Sequence, residues 1–259
     1  MRDWTLTAYQ NYLLEIKKHY AEIITFSRYF QMSDRTKSFC IIRHDVDRKP
    51  QNALRLAEVE NQMGVKATYY FRMKPCSFIP TIIKKIHSLG HDIGYHYENL
   101  SDTKGDNGKA IEDFRQKLSA LRSVCEIKTI SMHGRPFSKS DNRDLWEFAD
   151  NKQLLKTELG IAGEVYLDID YSDIAYITDT GRNWRNDQYN IRDKTNSKVP
   201  SDFKTSGELY KYLSNKPNPK LIFQIHPERW NEDYFSWSIQ LLFDFAANLI
   251  KKALSIIRK

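Results

Sequence analysis

The sequence predicts an α/β protein built on a parallel sheet, and three observations carry that expectation. Short apolar runs alternate with segments of helical periodicity along most of the 259 residues, the signature of successive βα units. The run Phe39-Cys40-Ile41-Ile42 is apolar without alternation, as a strand covered on both faces requires. Four strand-like segments end in clusters of His, Asp, Glu and Arg, and in parallel α/β proteins such strand ends converge on one cleft.

The length suits one large domain or two small ones. With 41% hydrophobic and 28% charged residues, the chain is not of the disordered, collagenous or membrane-embedded class. Forty Lys and Arg against 33 Asp and Glu leave +7. The basic residues gather only in pairs such as Lys17-Lys18, Lys84-Lys85 and Lys251-Lys252, so no nucleic-acid-binding stripe is predicted. Cys40, Cys76 and Cys125 form no CxxC pair and read as reduced thiols. Asp3, Glu15, Lys17 and Lys18 interrupt the N-terminal region, and no apolar run is long enough to span a bilayer; a cytoplasmic protein is expected.

The elements follow in order. Leu6–Tyr20 spaces Leu6, Tyr9, Leu13, Leu14 and Ile16 as a helix, and Glu22–Phe26 reads as a short strand. Ser38–Asp47 is a strand, and Pro50 opens a helix that closes near Gly64. Ala67–Phe71 is a strand, Ile79–Leu89 a helix capped by Gly90, and Asp92–His96 a strand. A helix over Ala110–Val124, a strand over Ile127–His133 and a short helix over Asp144–Ala149 come next. Ile174–Thr178 and Leu221–His226 are strands, and a long helix runs from Trp230. The polar stretch Asp179–Gly207 reads as a long functional loop. The tail Phe245–Lys259 sets Leu249, Ile250, Ala253, Leu254 and Ile257 against Lys251, Lys252, Arg258 and Lys259. Its apolar side is expected to pack on the rest of the protein, with a membrane surface as the alternative.

Alternation sorts the strand ends. Arg43, Asp45 and Asp47 share one face, and His44 and Val46 the other; His96 and Glu98 also share a face. Two carboxylates beside an imidazole repel unless a cation or a proton intervenes, and a divalent metal is the simple resolution. One Asp can then ligate while the other accepts a proton from metal-activated water. Ser131-Met132-His133-Gly134-Arg135-Pro136 and Gln224-Ile225-His226-Pro227-Glu228-Arg229-Trp230 add two further polar ends. Singly, each residue has a plainer reading: Asp47 as a helix cap, His133 and His226 as histidines bonded to backbone. Together they point to a site. His19 and His87 read as solvated, His91 as structural.

In order, Arg-His-Asp-Val-Asp from Arg43, Ala-Thr-Tyr-Tyr-Phe from Ala67, Gly-His-Asp-Ile-Gly-Tyr-His-Tyr-Glu from Gly90, Ser-Met-His-Gly-Arg-Pro from Ser131, Asp-Thr-Gly-Arg-Asn-Trp from Asp179 and Ile-His-Pro-Glu-Arg-Trp from Ile225 resemble the motifs of the polysaccharide deacetylase (NodB-homology) family, in a divergent cytoplasmic branch. The resemblance spans Arg43 to Trp230. It implies a distorted (β/α)7 TIM-like barrel and metal-dependent hydrolysis of an acetyl group, usually on a sugar. A single domain over 1–259 is then expected, with 1–37 as an N-terminal extension and 231–259 as a C-terminal helix.

Carried over by resemblance, Asp45 is the catalytic base, Asp47 a metal ligand, His96 the first histidine of a His-x-x-x-His pair and His226 the general acid. Leu100 stands where the second histidine of that pair is expected; His133, and after it Glu98, are the candidates to replace it. Arg135 or Arg43 is expected to orient Asp45, with Asp179 as the partner of such an arginine. The candidate substrate contacts are Arg43, Glu98, Arg182, Trp184 and Trp230. The two tryptophans suit a sugar face or internal packing equally. Arg182, Arg185 and Arg192 suit an anionic substrate such as a nucleotide-sugar or lipid-linked pyrophosphate sugar, or a solvated loop. Zinc is the expected metal. The expected reaction removes an acetyl group from an N-acetylated sugar intermediate of surface-polysaccharide biosynthesis. The alternatives are an amidohydrolase acting on a small amide and a non-catalytic glycan-binding protein of the same fold.

Overall fold

Helix α1 (Leu6–His19) starts where the Thr5 hydroxyl accepts from the Ala8 amide, in a computed structural model that describes residues 2–135, 137–185 and 192–257. Strand β1 (Ile23–Ile24) follows. The strand expected over Glu22–Phe26 is cut short because Thr25 caps a new helix, α2 (Phe26–Gln31). Next come β2 (Phe39–Val46), α3 (Pro50–Gln62), β3 (Thr68–Phe71), α4 (Pro80–Ser88) and β4 (Asp92–Tyr97). They are followed by α5 (Asn99–Asp102), α6 (Asn107–Arg122), β5 (Ile127–Met132) and α7 (Ala149–Thr157). The chain closes with β6 (Gly163–Glu164), β7 (Ala175–Thr178), α8 (Ser206–Asn215), β8 (Lys220–Ile225) and α9 (Tyr234–Ile257). The helix expected over Asp144–Ala149 is instead a 3-10 turn over Asn142–Trp146 that leads into α7.

Seven strands pair in the order β6-β5-β4-β3-β2-β8-β7, every pairing parallel, and β1 adds to β2 from the side. The path is curled. Arg43 of β2 reaches Ser131 of β5, with β3 and β4 between them. Tyr166, just after β6, meets Tyr176 of β7 at 3.2 Å between their hydroxyls, so the two ends of the path face each other. Among the described residues no ladder joins β6 to β7. The result is the distorted (β/α)7 barrel expected.

Strand β2 shows why its sequence lacks alternation. Cys40, Ile42 and Val46 enter the layer between sheet and helices, with Ala53, Leu56 and Ala57 of α3. Phe39 and Ile41 enter a second cluster with Tyr70, Val165, Tyr171, Tyr176 and Ile222, which fills the barrel interior. On that inner face the strand then runs Arg43, Asp45 and, just past its end, Asp47. Apolar filling thus gives way to charge as the strand climbs towards the mouth. No helix among the described residues is long and apolar enough to cross a membrane.

Candidate active site

The inner face of β2 sets the floor of the site. Arg43 is fully buried and binds Asp45 through two parallel bonds of 2.8 Å, the paired geometry a guanidinium offers a carboxylate. Ser131 holds the same guanidinium at 2.5 Å, and the Tyr166 ring lies 4.7 Å from it. Gln224 of β8 donates to Asp45 Oδ2 at 2.6 Å and accepts from the Tyr176 hydroxyl. Burial alone would raise the Asp45 carboxyl; the Arg43 guanidinium, then His96 and His226, outweigh it and keep it below its ordinary value. Asp45 is therefore an anion fixed on one side and faced by imidazoles on the other.

Asp47, His96 and His133 come together above it, each offering one ligand atom, all within 4.8 Å of one another. His96 Nδ1 donates to the Ser131 carbonyl at 2.9 Å, which leaves Nε2 as an acceptor 3.5 Å from both Asp45 Oδ2 and Asp47 Oδ1. His133 Nδ1 donates to Glu98 Oε2 at 3.1 Å, which aims its Nε2 at Asp47 Oδ1, 3.4 Å away. Asp47 Oδ1 is buried and receives no hydrogen bond. A carboxylate oxygen and two imidazole nitrogens thus converge, and this donor set, with both imidazoles anchored from outside, fits a divalent cation that would take the place of the His133 Nε2 proton.

The titration behaviour follows the same geometry. Burial opposes charge on Asp47, but His133 and His96 hold it well below its ordinary value. Burial keeps His96 below its ordinary value. Burial would also lower His133, yet Asp47 and then Glu98 push it up to about 9.

His226 ends β8 on the same side as Gln224. Its Nδ1 donates to Asp179 Oδ1 at 2.6 Å, and its amide is 3.0 Å from the same oxygen. Asp179 also accepts from Trp230 Nε1 at 2.9 Å and pairs with Arg229 at 3.4 Å. Burial and Arg229 would lower His226, but Asp179 raises it.

Several expected roles are corrected by these placements. Arg43, not Arg135, orients Asp45; Arg135 binds Glu98 at 3.2 Å and Asp102 at 2.8 Å. Asp179 serves His226 and Arg229, and neither Arg43 nor Arg135. Arg43 is sealed beneath Asp45 and offers nothing to a substrate. Glu98 is spent on Arg72, at 2.9 and 3.0 Å, and on His133, so it positions a histidine and does not face the cleft. Trp184 stacks on Trp4 at 4.8 Å and on Phe223 at 5.8 Å in the outer layer. Trp230 is 1% exposed with its ring among Trp4, Tyr9 and Tyr12. Neither tryptophan face is open to a sugar, because covering the barrel needs both. Arg182 lies between the rings of Trp4 and Trp237 and faces Asp244 at 3.6 Å. Arg192 binds Asp141 and the Ser138 carbonyl. These two arginines do not line an anion pocket, and residues 186–191 of the expected loop, with Pro136 of the Ser-Met-His-Gly-Arg-Pro motif, lie outside the described residues.

Sequence reasoning passed over Ser131, Gln224, Arg72 and Arg229. For Ser131 and Gln224 the signal was present: each stands two residues before a singled-out histidine, and so on the same strand face.

No family model matches the chain, and no curated protein matches it. Solved structures do. One is BA3943 of Bacillus anthracis, a CE4 family pseudoenzyme, with 12% identity and a TM-score of 0.45 over 84% of this chain; the chain spans 63% of that protein, less than two thirds of its length. Another is a family 4 carbohydrate esterase from Bacillus anthracis, with 13% identity and a TM-score of 0.43 over 91% of this chain and 84% of that one. A third is PdaA of Bacillus subtilis, a family 4 carbohydrate esterase, with 11% identity and a TM-score of 0.44 over 82% of this chain and 77% of that one. These are likenesses of fold at low identity.

Proposed function

We propose that the protein is a metal-dependent hydrolase that removes an acetyl group from an N-acetylated sugar, as a cytoplasmic step in building a surface polysaccharide. The observation that carries this reading is the meeting, at one barrel mouth, of a clamped carboxylate, a carboxylate-paired imidazole and a metal-type donor set.

Asp47, His96 and His133 would hold a divalent ion, most simply zinc, which when bound supplies Lewis-acid polarisation and acidification of water. Asp45 needs no large reorganisation to act. Arg43 and Gln224 hold it anionic and aimed, so it accepts the proton released as water attacks the acetyl carbonyl. His226 then has the complementary task. Asp179 fixes Nδ1 as the donor towards itself, which leaves Nε2 to deliver a proton to the departing amine. Three free cysteines, Cys40, Cys76 and Cys125, fit a reducing compartment.

The test is acetate release from partly acetylated chito-oligosaccharides, with and without chelator, beside a panel of small cyclic and linear amides. The reading expects release from the sugars alone, lost with chelator and lost in Asp45→Asn. Turnover of the amides alone would replace it with the amidohydrolase. Glycan binding without turnover, unchanged in Asp45→Asn, would make the protein a non-catalytic binder.

A further inference from the structure

Helix α9 carries its polarity inverted. A helix on a protein surface ordinarily turns its apolar stripe to the core and its polar side to water. Here the polar side faces inward. Asp244 pairs with Arg182 and Arg229 at 3.6 Å, Asn248 donates to the Gly181 carbonyl at 2.7 Å, and Gln240 accepts from Lys49 at 2.9 Å. Those partners follow β7, β8 and β2, so α9 lies across the strand-end mouth. The outward side carries Phe235 at 74% exposure, Leu242 at 68% and Phe245 at 62%, with Ile239, Leu249 and Ile250 about half exposed. The expectation that Leu249 and Ile250 pack on the barrel is thereby reversed: the rim of the mouth is charged, and it pairs with the helix's polar residues.

A continuous apolar stripe of this size marks an interaction surface, and its charge pattern says of which kind. The outward side has no carboxylate, since Asp244, the single acid of the helix, is buried and paired. Lys251 is half-buried and faces the charged groups at the mouth, Arg229, Asp193, Asp47 and Asp244 among them. The basic residues at the C-terminal end of the outward side are Lys252, which is exposed, and, in the sequence, Arg258-Lys259. At the other end Tyr234 and Trp237 flank the Arg2 guanidinium at 5.5 and 5.6 Å, the kind of amphipathic aromatics that settle at a membrane–water boundary. A helix of 24 residues, about 36 Å long, that lacks an uncharged span lies in the plane of such a boundary and does not cross it.

We propose that the outward face of α9 seats on the surface of an anionic lipid bilayer and turns the barrel mouth towards the headgroups. On the deacetylase reading given above, the substrate class becomes an acetylated sugar presented at a membrane; the docking itself stands apart from that reading and is measured without turnover.

The experiment is co-sedimentation of the full chain with vesicles of phosphatidylcholine alone or mixed with phosphatidylglycerol, at low and high salt. The expected result is binding to the mixed vesicles that weakens with salt. The double variant Leu242→Glu/Phe245→Glu should lose at least about tenfold in partitioning, because each side chain removes a buried apolar anchor, while keeping the wild-type circular dichroism spectrum and Tm. Equal binding by the variant, equal binding to phosphatidylcholine alone, or no binding by the wild type would each overturn the proposal. So would a dimer in solution that the double variant dissolves without any vesicle binding, since a second copy would then be what covers the face.

Discussion

The two faces of β2 each carry a buried ionic network, and only one of them has the layout proposed for the site. On the outer face His44 Nε2 meets Glu60 at 2.6 Å, Tyr69 donates to the other Glu60 oxygen at 2.6 Å, and Tyr9 adds a third bond. Burial would raise Glu60, but His44 and His91 keep it below its ordinary value. Both of its oxygens are occupied, and rings close over it: Tyr69 stacks on His44 at 4.2 Å. On the inner face Asp45 is occupied in the same way, yet Asp47 Oδ1 is left with no hydrogen bond and two imidazole nitrogens about it. Burial and charge are common to both networks. His44 Nδ1 is also buried without a hydrogen bond, so an unfilled atom is not itself the difference. What distinguishes them is that Asp47 Oδ1 lies at the open end of the strands within reach of two imidazole nitrogens, where a cation can fill it.

That contrast is easiest to break with paired substitutions. Asp45→Asn should lower kcat by about 10²–10⁴-fold, the usual contribution of a general base, read on the folded fraction because the buried Arg43 guanidinium also loses its counter-charge. Glu60→Ala should leave kcat in place and cost stability alone. Stranding His44 and two tyrosine hydroxyls should cost about 3–5 kcal/mol in a denaturant melt, while the folded fraction keeps its kcat and metal affinity. An equal loss of kcat in both variants would erase the distinction between the two networks.

A smaller effect concerns pH in the metal-free protein. His133 is raised from 6.5 to about 9 by Asp47 and Glu98. Its protonated form therefore stabilises the fold fully below about 6.5, and that stability is lost as pH rises through 9. The loss amounts to about 3 kcal/mol, because a tenfold change in proton affinity is worth ~1.4 kcal/mol. Denaturant melts in chelator across this range should show the fall, and His133→Asn should flatten it. Least of all is Trp184→Phe, which should cost about 1 kcal/mol of stability, as a typical core change does, and leave KM for the sugar unchanged because the ring is in the outer layer.

The sequence disclosed the residues that gather at the candidate site more fully than the elements around them. Asp45, Asp47, His96, His133 and His226 were legible because each ends an apolar strand, where a core has no use for it. The two-residue strand β6 has no period to read, and α2, α5, α7 and α8 were missed as well. In α2, the six residues from Phe26 are too few to show a helical period, and the capping hydroxyl of Thr25 marks where they start. The roles of the arginines and tryptophans were not legible, since they depend on which element folds over which. Arg43 and Arg135 are both near strand ends, and only the curl of the sheet brings Arg43 to Asp45 and Ser131. Trp184 and Trp230 stand in motif segments but are drawn under α1, whose Tyr9 and Tyr12 pack on them. Inverted polarity in α9 is invisible to periodicity, which reports that a helix has two faces and not which of them looks outward.

The central claim is that Asp47, His96 and His133 hold a divalent metal, and it is tested most directly by calorimetric titration of chelator-stripped protein with zinc. The account predicts one equivalent bound by the wild type and by Glu60→Ala, and a loss in His133→Ala beyond the ~100-fold that a missing outer partner of a ligand costs. No binding by the wild type, or equal binding by His133→Ala, would contradict it.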